Sequence, residues 1–288
     1  MKLRSLGFVL ALMSASSAPA LDLDALWDFR EPAASEQRFR AALADAVPDE
    51  VFILKTQIAR SLGLRRQFAQ ARALLDELAP EVSGTSAEGR ARHALELGRT
   101  LASAKHTVAE SSAETKAEAR AHFARALALA RQAELDGLAI DAIHMMAFID
   151  TQALEQLFWA KEALTIVERS TQPAAKRWEA SIRHNLGYAL HQQQRYAEAL
   201  AQFQVALQLR EAAGKAEDIH IARWMIARTL RALGRREEAL ALQLALEASA
   251  AAAGRPDPFV FEELEALYRE AGDLARAKSY ASKRPAGQ

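Results

Sequence analysis

Between His184 and Leu209 the chain reads HNLGYALHQQQRYAEALAQFQVALQL, two helical segments facing each other across the polar turn Gln192-Gln193-Gln194-Arg195. Leu186, Gly187 and Leu190 stand at i, i+1 and i+4 on the first segment. Tyr196, Ala199, Leu200, Phe203, Ala206 and Leu207 recur on the second at three- and four-residue steps, the spacing that gathers side chains on one helical face. Gly187, Ala199 and Ala206 are small where two helices would cross, so their backbones can approach closely. One hairpin of this kind cannot bury its apolar face alone. It predicts neighbours stacked against it.

Weaker copies follow the same spacing. They comprise Ile58-Ala59, Leu62, Phe68, Ala71 and Leu75, then Leu97-Gly98, Leu101, Ala119, Phe123 and Ala126. A third has Leu154, Ala163 and Val167, with Asp150-Thr151 where the apolar–small pair is expected. The last two are Ile226-Ala227, Leu230, Gly234, Ala239 and Leu246, and Leu264, Tyr268, Gly272, Leu274 and Ala277. The best copy resembles the tetratricopeptide repeat family: Leu186-Gly187, Leu190, Tyr196, Ala199, Phe203 and Ala206 match its leucine–glycine pair, its aromatic-or-leucine position, its aromatic–x–x–alanine step and its closing aromatic and alanine. That resemblance implies an all-α fold, a right-handed α-solenoid of stacked helix-turn-helix repeats.

The repeats are longer than those of the standard form. Alanines 71, 119, 163, 199, 239 and 277 are separated by 48, 44, 36, 40 and 38 residues, against about 34 for the usual tetratricopeptide period. Extra helical turns or longer loops are expected, and the polar run AESSAETKAE, 109–118, reads as a loop. Nothing in the chain reads as strand, and Pro32, Pro48, Pro80, Pro173, Pro256 and Pro258 punctuate the periodic segments.

The first twenty residues differ in kind. Lys2 and Arg4, an apolar run from Leu6 to Met13 and the small triplet Ala18-Pro19-Ala20 have the layout of a secretory signal peptide. Cleavage after Ala20 and a periplasmic or secreted product are the expectations. Residues 21–49 read as an N-terminal capping segment, 50–282 as the solenoid and 283–288 as a flexible tail. Within the cap, Phe39, Ala42 and Leu43 are spaced like the second helix of a hairpin, with Trp27 and Phe29 tucked beneath. Cysteine is absent, which excludes disulfides and thiolate chemistry. The charge is balanced, 37 basic against 37 acidic residues, so there is no general grip on nucleic acid or an anionic membrane.

Searching for catalytic traces finds no phosphate loop, no dinucleotide turn and no H-E-x-x-H. His184 and His191 lie seven apart, too far for one ion on one helix, and Glu237-Glu238 and Glu262-Glu263 point to different helix sides. No metal, cofactor or catalytic residue is assigned. The resemblance instead implies a concave groove lined by the first helix of each hairpin. Carried onto this chain it selects Ser181, His184, Tyr188, His191 and Gln192, then Ile221, Trp224, Arg228 and Arg231. Arg60 and Arg99 would join the line of Arg228, followed by Met145, Phe148, Gln152 and Glu155. Rings and guanidinium groups of this kind supply much of the binding energy at interfaces. Recurring arginines suggest partners bearing carboxylates; the alternative is that they pair with neighbouring glutamates. Asn185 matches one position of the family's carboxylate clamp, but His184 and Ile221 stand where two clamp lysines would be, so no clamp is assigned. The expected function is an exported, non-catalytic scaffold holding a peptide or helix of a partner protein. The alternatives are a self-associating envelope protein, including a homodimer, and an envelope enzyme or its accessory subunit.

Overall fold

The computed structural model describes residues 21–284. The leader expected over 1–20 lies outside them. No strand occurs among the described residues, and no helix there is long and apolar enough to cross a membrane. A short helix α1 (Leu23–Leu26) and a longer α2 (Pro32–Ala42) come first. Six hairpins follow: α3 (Pro48–Leu64) with α4 (Phe68–Leu78), α5 (Ala87–Leu101) with α6 (Ala113–Gln132), and α7 (Asp136–Ile149) with α8 (Ala153–Arg169). After the single turn α9 (Pro173–Lys176) come α10 (Glu179–Gln192) with α11 (Tyr196–Ala213), α12 (Ala216–Ala232) with α13 (Arg236–Ala252), and α14 (Pro258–Glu270) with α15 (Leu274–Ser282). Each hairpin packs on the next, so the fold is an all-α solenoid of stacked helix-turn-helix units.

The same turn closes four of the hairpins. Arg66, Gln194, Gly234 and Gly272 adopt φ between 60° and 81° just past the end of α3, α10, α12 and α14. The following residue then donates back to a carbonyl one turn earlier: Gln67 N–H to Leu62, Arg195 to Leu190, Arg235 to Leu230 and Asp273 to Tyr268, all at 2.9–3.0 Å. This is the left-handed helix cap that saturates the last carbonyls. Glycine fits it without strain at 234 and 272. Arg66 and Gln194 hold the same geometry with a side chain.

Inside a hairpin, a glycine on the first helix meets a phenylalanine on the second. Gly187 faces the fully buried Phe203, and Gly98 faces the fully buried Phe123. A methyl group added at Gly187 would sit 2.7 Å from the Phe203 ring, well inside van der Waals contact. On α13 the corresponding place, four residues after Ala239, is taken by Gln243. Its amide is completely buried, and neither its nitrogen nor its oxygen bonds to any described group. A desolvated, unbonded amide costs about 1–3 kcal/mol, so Gln243→Met is expected to raise stability by about that amount. The urea midpoint should rise; a fall would mean that the amide is satisfied in solution.

Two expectations change. The third repeat begins earlier than its spacing indicated. Asp150-Thr151 lie in the turn between α7 and α8, and Leu154 is on the second helix. The true first helix, α7, is apolar on nearly every side, with Ala139, Ile140, Ala142, Ile143, Met145 and Met146 all buried, so it carries no amphipathic period to read. The run 109–118 is a loop only in part. Ser112 caps α6 by accepting from Thr115 N–H, and the helix is already under way at Ala113.

Candidate binding groove

The first helices of the hairpins, α3, α5, α7, α10, α12 and α14, carry the positions expected to line the groove; α5 packs on α3 and α7, and α14 packs on α12. The two ends of the groove differ in charge and in cover.

At the N-terminal end, four charged side chains from three successive hairpins meet. Arg60 on α3 reaches Asp141 on α7 at 3.3 Å and Glu96 on α5 at 3.9 Å. Arg99 on α5 contacts both Glu96 and Asp141 at 2.5 Å. Glu96 and Asp141 are buried, and the two arginines are nearly so. Burial alone would push the Asp141 carboxyl up; the guanidinium groups of Arg99 and Arg60 overcome it and hold the carboxyl at about 2. His144, on the next turn of α7, has its pKa pushed down by desolvation within the groove wall and by the Arg99 and Arg60 cations, although part of its side chain remains open to solvent. The arginines expected to reach for a partner's carboxylates are therefore neutralised from within. Met145, expected on the line, is in the core, and Gln152 and Glu155 are engaged in capping α8. Phe148 is 41% exposed and lines a cavity of about 230 Å³ with Arg99, His144 and Trp178.

The C-terminal end is more open. Tyr188 on α10 is 43% exposed, and its hydroxyl accepts from the Gln192 amide at 2.9 Å. On α12, Ile221 is also exposed, and Trp224 meets the exposed Phe259 of α14 edge to face, with ring centres 6.1 Å apart. The Arg228 guanidinium lies 5.3 Å from the Trp224 ring centre. His191 on α10 stands beside Arg228, and burial together with that cation and Arg231 pushes its pKa down. Tyr188, His191, Gln192, Trp224 and Arg228 thus belong to one region spread over neighbouring helices. Phe259 was not selected from the sequence; it lies on the first turn of α14, ahead of Leu264 where the last copy of the pattern was read, and a proline-started helix was the one available signal.

Two of the selected residues serve elsewhere. Arg231 grips Glu263 through two nitrogens, at 2.8 Å and 3.2 Å, and Glu270 through a third at 2.9 Å, and these carboxylates raise its pKa further. It acts as a clamp between α12 and α14. His184 lies edge-on to Phe203 with ring centres 5.5 Å apart, and burial and the Arg210 cation press its pKa down to about 4. It packs within its own hairpin. Ser181 is exposed at the start of the same helix.

Comparison with known proteins gives a fold and no family. No family model matches the chain, and no curated protein is similar to it in sequence. Among solved structures, the chain is similar to NprR in complex with its cognate peptide NprX, with a TM-score of 0.52, 13% identity, and 91% of this chain and 76% of that one covered. A second, more distant similarity is to BtubC from P. vanneervenii, with a TM-score of 0.38, 14% identity, and 91% and 89% of the two chains covered. At this identity the likeness to NprR is one of fold: a stack of helices along nearly the whole chain, as in a tetratricopeptide-like solenoid.

Proposed function

We propose that this protein is a non-catalytic scaffold that holds a peptide or helical segment of a partner protein along its concave face. The observation that carries the reading is the open region where Tyr188, Ile221 and Phe259 are each more than 40% exposed on adjacent inner helices, beside Trp224 and Arg228. Rigid rings with a guanidinium at their edge give large contact area at little entropic cost. The structural likeness to NprR, solved with a bound peptide, supports the same use of the fold.

Capture of partners from a cell-envelope fraction tests it. Replacing Tyr188, Trp224 and Arg228 together by alanine is expected to weaken the captured complex about a hundredfold or more, while circular dichroism stays helical. Undiminished capture by the folded triple variant would remove this region from the function.

Export is part of the same proposal, supported by the basic start, apolar run and Ala18-Pro19-Ala20 of the leader. Terminal sequencing of the protein purified from the envelope is expected to begin at Leu21. A chain that begins at Met1 and fractionates with cytosol would overturn it.

A further inference from the structure

The N-terminal end of the groove is covered by the chain itself. The segment leading into α2 reads LDLDALWDFRE from Leu21 to Glu31, with Asp22, Asp24, Asp28 and Glu31 against the single Arg30, and with Trp27 and Phe29 at its centre. It crosses the hollow side. Trp27 Nε1 donates to Gln57 Oε1 on α3 at 3.1 Å, and the Trp27 and Phe29 rings stack with centres 4.6 Å apart. The Arg60 guanidinium lies 5.6 Å and 5.3 Å from those two ring centres. Farther along, Asp24 pairs with Arg177, 153 residues away at the entrance to α10. Beneath the segment lies a chamber of about 770 Å³, with Leu23, Asp24, Trp27 and Phe29 on one side and Arg60, Asp141 and Trp178 on the other.

The outer contacts of the segment are the weak ones. Asp24 and Arg177 are both more than half exposed, so their pairing contributes little in water. Phe29 is 57% exposed although its ring is stacked, and α1 is a single turn with no buried residue. Trp27, edge-on to the buried Phe39 at 4.9 Å, ties the segment to the core together with the partly buried Leu23 and Leu26, and Asp28 N–H donates to Ser35 Oγ on α2 at 2.7 Å. Lys215, at the start of α12, also lines the chamber and forms no ion pair among the described residues.

We propose that residues 22–30 are an internal strap that occupies the N-terminal end of the groove in place of a partner. The partner segment taken at that end has the strap's own chemistry: an acidic peptide carrying a bulky aromatic ring, which stacks on Arg60 and offers a carboxylate to Arg177 as it displaces the strap. This rests on the reading of the concave face as a peptide-binding surface, and adds to it a partner class and a built-in competitor.

A synthetic peptide of residues 21–31, labelled with a fluorophore, tests the proposal by anisotropy against the full chain. The strap competes in the unaltered protein, so the peptide is expected to bind a Asp24→Arg, Trp27→Ala variant about tenfold more tightly. Asp24→Arg alone, remote from the core, is expected to give a smaller gain in the same direction and covers the case in which Trp27→Ala impairs folding. Adding Arg177→Ala should cancel the gain, because the peptide then loses the cation that its second aspartate pairs with. Equal binding to all these proteins, or equal binding of a scrambled peptide of the same composition, would overturn the strap. Because capture through Tyr188, Trp224 and Arg228 involves the other end of the groove and a different readout, a failed strap leaves that result standing, and the reverse holds as well.

Discussion

Asp141→Ala is expected to destabilise the fold by about 3–5 kcal/mol, the usual cost of stripping one member from a buried ionic cluster. The wild-type cluster holds two guanidinium groups and two carboxylates across α3, α5 and α7. Without Asp141, Arg60 and Arg99 share Glu96 alone, and a net positive charge stays in a site of low polarity. Asp141→Asn keeps the shape and removes only the charge, so most of the loss should persist in that variant. The sign of the pH dependence follows from the carboxyl pKa. It lies at about 2 in the folded protein, below the value of about 3.9 for an unfolded aspartate. The stabilisation is therefore complete above about pH 4 and disappears as pH falls through about 2. Thermal unfolding of wild type and Asp141→Asn at a series of pH values should show their difference shrinking across that window. A gap that stays constant down to acid would mean that Asp141 acts by packing and not by charge.

Phe123→Ala is expected to cost a similar amount, about 3–5 kcal/mol. Its ring is fully buried on α6 and lies directly over Gly98 of α5, in the most extensive of the apolar clusters. The reciprocal change is instructive. Gly98→Ala would gain up to about 1 kcal/mol of helix propensity, but its methyl group would overlap the Phe123 ring. Overpacking costs about 1–3 kcal/mol, so a net loss is expected. Phe123→Leu shortens the side chain at the point of overlap, and the double variant Gly98→Ala, Phe123→Leu should be more stable than the two single losses add up to. Urea denaturation of the four proteins gives the coupling energy. Strict additivity would show that the methyl group and the ring do not meet.

These two sites also mark how far a sequence reading carries. Spacing marked Gly187 as a small residue where two helices approach closely; that a ring lies over it, Phe203 there and Phe123 over Gly98, emerged only from the packing. The hairpin at 184–209 was legible because each of its helices has one apolar and one polar face, and the period betrays it. Where a helix is buried on nearly every side, as α7 is, periodicity vanishes and the repeat was placed too late.

The inner face was legible as a set of positions but not as a charge distribution. For Arg60, Arg99 and Arg231, whether a guanidinium faces a partner or a neighbouring carboxylate depends on contacts between residues 32 to 81 positions apart. Spacing within one helix contains no such information. The path of residues 21–31 is the extreme case, since the pairing of Asp24 with Arg177 exists only once several hairpins have curved the stack toward its own beginning. Local chemistry, carried by nearest neighbours along the helix, thus determined that this chain folds as stacked hairpins. Curvature, accumulated from one hairpin to the next, decided which groups of the hollow face are spent on one another and which remain open, because that depends on side chains meeting across the stack.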